Sequence, residues 1–219
     1  MSTNRNYSWT VLPNLGYIET LLSEQDLEPL LREIDLIEQG HVEPLEANGK
    51  LSGHIKKEYL LEQSRAHIES LTVPLGRQFF HEFNYWNNQK NQCGQEQDFD
   101  LVLDILWLNR QQQGEFNPPH NHSGALSFVI FVDVPYLIEH ERNHAHERAQ
   151  ERKWGCFEFL YTDILGQLRG HLLEADESWR GRLIMFPALL CHTVYPFVTT
   201  QRERLTVSGN LALERKTPL

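Results

Sequence analysis

The chain has 219 residues, 40% of them hydrophobic and 23% charged, and a formal net charge of −10 at pH 7. That length and balance suit one soluble globular domain with a substantial buried core. The acidic surplus repels phosphate backbones and anionic headgroups. The densest basic stretch, His140 to Lys153, is interleaved with Glu141, Glu147 and Glu151, so neither nucleic acid nor a membrane is expected as a partner.

The first residues, Met1-Ser-Thr-Asn-Arg-Asn-Tyr7, hold no basic region followed by an apolar run, and no apolar stretch is long enough to span a bilayer. Cys93, Cys156 and Cys191 are odd in number and form no CxxC, which points to a reducing, cytoplasmic location. From about Ser23 to Trp86 the apolar period is helical. Ser23 is a predicted N-cap, with Gln25 and Asp26 in the first turn. Leu27, Leu30, Leu31, Ile34 and Ile37 form one face, and Gly40 is a predicted stop. A second helical run holds Leu61, Ile68 and Leu71. A third, after Pro74, carries Leu75, Phe79, Phe80, Phe83 and Trp86. Asn87 to Gln97 is polar and reads as a loop.

From Asp98 the period becomes that of strands. The predicted segments are 100–109, 125–134, 154–162, 168–175, 182–186, 192–198 and 205–213. Helices followed by crowded short strands predict a mainly β fold with an N-terminal helical layer (about 20–97) and a sandwich- or barrel-like core (about 98–213), together one domain.

Three segments carry candidate chemistry. In Asn117-Pro-Pro-His120-Asn-His122, strand spacing puts both imidazoles on one face, roughly 6.5 Å apart along the chain, and Pro118 and Pro119 hold the approach extended. Such a pair can bind one metal, or it can be two neighbouring surface histidines. In Phe186-Pro187-Ala-Leu-Leu-Cys-His192, an ionisable ring opens a strand in an apolar context, where it needs a partner. In Arg204-Leu-Thr206-Val-Ser208, the polar residues share a face, and a guanidinium with a nearby hydroxyl is a ready carboxylate clamp. The alternative is an exposed edge on which Arg204 pairs with Glu203 or Glu214.

Together with Trp107, Asn109, Gly114 and Asn210, these residues resemble the 2-oxoglutarate and Fe(II)-dependent oxygenase superfamily. They are most similar to its small prolyl-4-hydroxylase-like bacterial and phage group, whose pattern runs W-x-N, Gly, N-x-x-H-x-H, F-P, His, E-R-x-[ST]-x-S-x-N. The resemblance covers about Asp100 to Leu213. It implies a double-stranded β-helix (jelly-roll or cupin-like) core and an Fe(II) cofactor held by His120 and His192. It further implies 2-oxoglutarate as cosubstrate, bound by Arg204 with Thr206 and Asn117, and hydroxylation by O₂ of a C–H bond in a small molecule or peptide, a prolyl or amino-acid side chain among the options. Trp107 and Asn109 would face the pocket.

His122 departs from the family, which at large has a carboxylate there. Three readings follow: His122 is a third ligand, which we favour; water fills the third place; or an acid from elsewhere does, with Glu115 and Asp133 nearest in sequence. Two competing functions also stand. One is a cupin-like three-histidine zinc or iron enzyme without 2-oxoglutarate, and the other is a non-catalytic ligand-binding β-helix. His140, His144 and His146 form a second cluster, read as a solvated segment or lid rather than a metal site. Cys191 beside His192 is not expected to act as a nucleophile, because adjacent strand residues face opposite ways. The N-terminal helices are left with three open roles: bracing a sheet, forming a homodimer interface, or covering the substrate.

Overall fold

The computed structural model describes residues 14–46, 55–86, 89, 99–144 and 153–216. Among these are eleven strands: β1 (Ile18–Leu21), β2 (Leu45–Glu46), β3 (Lys57–Leu60), β4 (Phe99–Gln111), β5 (Asn117–His120), β6 (Leu126–Asp133), β7 (Phe157–Thr162), β8 (Leu168–Leu173), β9 (Arg182–Pro187), β10 (Cys191–Val194) and β11 (Arg204–Arg215). The helices are α1 (Glu24–Glu38), α2 (Arg65–Glu82) and a short α3 (Ile138–His144). A seven-stranded sheet of order β1-β9-β6-β11-β4-β3-β2 faces a four-stranded sheet of order β5-β10-β7-β8. Every strand pairing is antiparallel.

Strand alternation divides the large sheet between two tasks. Leu126, Phe128, Ile130 and Val132 of β6 join the core beneath α1 and α2, with Leu27, Leu30, Ile34, Ile68 and Phe79 from the helices. Val129 and Phe131 point the other way and pack between the sheets with Phe157, Phe159, Ile184 and Phe186. Both faces of β6 are therefore covered, and its run reads as continuously apolar. On β11, Val207 and Leu211 face the helices, while Arg204, Thr206 and Ser208 face the inter-sheet cavity.

Helix α1 begins as its sequence predicts. Ser23 accepts from the Asp26 backbone N–H, and Asp26 returns the bond to the Ser23 N–H in a capping box. Gly40, at φ 71°, follows its end. Two expectations are corrected. The predicted second and third helical runs are one helix, α2, with Pro74 inside it. Proline removes the hydrogen bond to the carbonyl four residues back, but that carbonyl belongs to solvent-exposed Ser70, where water can replace the donor. Residues 57–60, expected within helical sequence, form β3 and extend the large sheet beyond β4, with Leu45–Glu46 beyond that. Apolar spacing in so short a stretch does not separate helix from strand. The predicted polar loop at 87–97 lies almost wholly outside the described residues.

A bulge tunes β4. Ile105 pairs with Asn210 and Leu103 with Leu211, leaving Asp104 as the extra residue. Side-chain parity therefore switches: Leu101 and Leu103 face the helices before the bulge, Leu106 and Leu108 after it. Helix α2 satisfies the disturbed backbone. Arg65 donates to the carbonyls of Leu103 and Asp104, and Glu69, one turn on, accepts from the Leu103 N–H at 2.9 Å.

The approach to α2 depends on one buried carboxylate. Glu33 of α1 accepts from the backbone N–H groups of Glu62, Gln63 and Ser64 at 2.8, 2.9 and 2.8 Å, and from the Ser64 hydroxyl. Removing it strands several donors at a site that is 3% exposed. Glu33→Ala is expected to lower unfolding free energy by about 3 kcal/mol in urea titrations. Glu28→Ala, on the exposed face of the same helix, should cost under about 0.5 kcal/mol.

Candidate metal centre

The small sheet brings two of the three histidines together. In the β10–β5 pairing, His192 lies opposite His120. The two ring centroids are 4.3 Å apart. His122 lies just past the end of β5, with its backbone N–H donating to the Ala188 carbonyl at 2.9 Å. Its ring centroid is 5.0 Å from that of His120 and 5.1 Å from that of His192. One nitrogen from each ring lies within 4.8 Å of the others.

Two of the rings have a defined tautomer. His120 Nδ1 is 2.7 Å from the Pro118 carbonyl, and His192 Nδ1 is 3.0 Å from the Leu190 carbonyl. A carbonyl only accepts, so each Nδ1 carries the proton and each Nε2 keeps its lone pair for a metal. Phe157 stacks on His192 at 5.3 Å and 13°, and Phe186 meets its edge at 5.0 Å. Burial lowers the His120 pKa, pushes that of His122 down to about 4 with help from His120, and pushes that of His192 down to about 3. All three rings are then neutral at pH 7, which metal ligation requires. The donor set fits a borderline divalent cation such as Fe(II) or Zn(II).

No carboxylate among the described residues joins this set. Asp133 is held by Arg202 at 2.7 Å, and Glu115 Oε2 accepts from the Gln112 N–H at 3.0 Å. His140 and His144 lie on α3, both exposed, and His146 falls outside the described residues. Burial raises the Cys191 thiol and pushes Cys156 up to about 11, so neither is an activated nucleophile.

One cavity between the sheets is lined by all of the sequence-predicted site residues: Trp107, Asn109, Asn117, His120, His122, His192, Arg204 and Thr206. Trp107 Nε1 donates to Asn109 Oδ1 at 3.0 Å, and the Trp107 ring meets the His122 ring edge-on at 5.6 Å. Asn109 Nδ2 donates to Thr206 Oγ1 at 3.3 Å and to Ser208 Oγ at 3.0 Å.

Arg204 is 4% exposed and points inward, not along an edge. Its Nη1 donates to the Tyr136 hydroxyl at 2.7 Å and the Gly155 carbonyl at 3.1 Å, and its Nη2 donates to Gln111 Oε1. All three acceptors are neutral. Neighbouring Glu203 instead pairs with Lys57 at 2.9 Å and Arg110 at 2.6 Å. A buried guanidinium without a counter-anion within ion-pair distance among the described residues is a binding group for an anion.

Sequence reasoning missed Gln111, Tyr136 and Glu58. Gln111 had a signal, since it alternates with Trp107 and Asn109 on one strand face. Tyr136, in the connection after β6, and Glu58, on a strand read as helix, had none. Glu58 is 2% exposed, lines the cavity and pairs across β3–β4 with Asn109. Burial, and then the nearby Glu115 charge, raise its carboxyl to about 7.

The chain matches a family described as 2OG-Fe(II) oxygenases over residues 105–210. No curated protein is significantly similar to it in sequence. Among solved structures it is similar to a prolyl-4-hydroxylase of Pseudomonas putida, with 17% identity, TM-score 0.51, and coverage of 92% of this chain and 94% of that one. It is also similar to AviO1 of Streptomyces viridochromogenes Tue57, with 12% identity, TM-score 0.52, and coverage of 93% and 92%. A third is the non-heme alpha-ketoglutarate-dependent epimerase SnoN of nogalamycin biosynthesis, with 15% identity, TM-score 0.50, and coverage of 92% and 79%. The core is the double-stranded β-helix expected of the chain.

Because the Glu58 carboxyl is raised from 4.5 in the unfolded chain to about 7, the native state holds its proton more tightly. Stability is therefore retained at low pH and lost as pH rises through 7. Glu58→Gln should match the parent at pH 5 and exceed it by on the order of 1–2 kcal/mol at pH 8, read from urea midpoints. An equal difference at both pH values would exclude an elevated Glu58 pKa.

Proposed function

Since residues 105–210 carry the core of the 2OG-Fe(II) oxygenase family, to which this chain belongs, we propose that His120, His122 and His192 hold Fe(II) and that Arg204 binds the distal carboxylate of 2-oxoglutarate. The observation that carries this reading is the Arg204 guanidinium: buried, held by neutral acceptors, and lining the same cavity as the three histidines. It has N–H groups to spare beyond those it gives to Tyr136, Gly155 and Gln111. An incoming carboxylate supplies the missing negative charge. Thr206, one step along the same face, adds a hydroxyl, and Asn117 offers its Nδ2 to the bound oxo-acid.

With iron and 2-oxoglutarate in place, the family's chemistry uses O₂ to convert 2-oxoglutarate to succinate and CO₂ while oxidising a C–H bond of the substrate. The protein's part is geometric. Pro118 and Leu190 carbonyls fix the tautomers of two ligands, Phe157 and Phe186 hold the His192 plane, and Trp107 bears on His122. A metalloenzyme acting without 2-oxoglutarate, or a metal-free binding protein, leaves Arg204 buried without an anion. We also read the helical layer and the β-helix as one domain, because α1 and α2 bury their apolar faces on the sheet whose other face lines the cavity.

Anaerobic addition of Fe(II) and 2-oxoglutarate should produce a visible metal-to-ligand charge-transfer band that needs both components. Arg204→Ala should weaken 2-oxoglutarate binding by at least about 100-fold, consistent with loss of a buried charge-assisted pair. No band at saturating iron rejects the assignment. For the third ligand, His122→Ala is expected to lose iron affinity as His120→Ala does; normal iron binding by His122→Ala would leave a two-histidine site.

A further inference from the structure

The same cavity holds negative charge that neither iron ligation nor 2-oxoglutarate binding uses. Glu58 reaches it from β3, on the large sheet, and Asn117 from β5, the edge strand of the small sheet. Glu115, two residues before Asn117, lies close enough to Glu58 for each carboxylate to feel the other's charge. Two oxygens here are buried without a hydrogen-bond donor: Glu115 Oε1 and Asn117 Oδ1, the latter on a residue 8% exposed. Buried acceptors of this kind are costly unless something fills them. Neither 2-oxoglutarate nor O₂ can do so, because each offers acceptors only. The missing partner is a donor, and the adjacent carboxylates favour one that is positively charged.

We infer that the oxidised substrate carries a cationic nitrogen, an amine or a guanidinium, bound where the β3 and β5 sides of the cavity meet by Glu58, Glu115 and Asn117 Oδ1. As an assignment of substrate class this rests on the oxygenase reading; as a binding site it does not. The cation donates to the two orphaned oxygens and neutralises the carboxylate pair. The carbon skeleton attached to it then lies in the cavity that the three histidines also line. Glu58 and Asn117 act here as specificity-determining residues: they select the substrate and take no part in bond breaking.

The test is a pair of shape-matched probe sets, titrated by calorimetry at pH 8 into protein with and without Fe(II) and 2-oxoglutarate under anaerobic conditions. n-Butylguanidine and n-pentylamine are the cations; n-butylurea and 1-pentanol are their neutral counterparts. The cations should bind at least tenfold more tightly than the neutral probes. Glu58→Gln should remove at least tenfold of that preference, whereas Glu139→Gln, on the exposed face of α3, should leave it unchanged. Equal binding of cations and neutral probes, no binding of either at millimolar concentration, or equal effects of Glu58→Gln and Glu139→Gln would overturn the cation site. The charge-transfer band separates the two readings. Band without cation binding rejects only the substrate class, and Glu58-dependent cation binding without the band rejects only the oxygenase assignment.

Discussion

The antiparallel pairing of β10 with β5 is the constraint on which the centre depends. It sets His192 opposite His120, and each ring then finds the carbonyl two residues upstream, Leu190 in one strand and Pro118 in the other. The backbone that makes the sheet thus also sets both tautomers. β10 is paired on its other side with β7, which supplies Phe157 and its stacked ring. His122 is held differently. It has left the ladder, its backbone is tied to Ala188 in the β9–β10 turn, and its ring rests against Trp107 from the opposite sheet. The triad therefore reports on whether the two sheets are correctly apposed, since two members come from one sheet and the third is steadied by the other.

Around this centre the cavity carries opposite charges with opposite needs. Arg204 is surrounded by dipoles, those of Tyr136, Gly155 and Gln111, which hold a cation in place without neutralising it. Glu58 faces the reverse situation: burial and a neighbouring carboxylate both disfavour its charge. Each would be a poor choice for stability alone. Their coexistence in one cavity makes sense as readiness for two different ligands, one anionic and one donor-rich.

The parts of this arrangement that are legible in the sequence are those written with period two. Alternation in β4, β6 and β11 announces strands, separates Leu108 from Asn109 and Val207 from Thr206, and so puts Arg204 inward. The HxH pair and His192 stand out because imidazoles in apolar, extended sequence need partners. Illegible parts lack a period. β2 and β3 are two and four residues long, too short for alternation to compete with the helical spacing around them, and Glu58 was lost with them. Tyr136 comes from a connection after β6, and nothing local marks its hydroxyl as the neighbour of a guanidinium far along the chain. Pro74 misled in the other direction, because a breaker signal does not reveal whether the broken carbonyl meets water.

The bulge at Asp104 has a wider consequence. It works as a phase shifter between two halves of one strand. The early half is in phase with the leucines that grip α2, and the later half is in phase with Trp107, Asn109 and Gln111, which look into the cavity. Arg65 and Glu69 clamp the point where the phases meet. A helix with no side chain in the cavity thereby sets the rotational alignment of the chemical wall. Loss of the one extra residue would keep every pairing partner type available, yet turn that wall to face the helices.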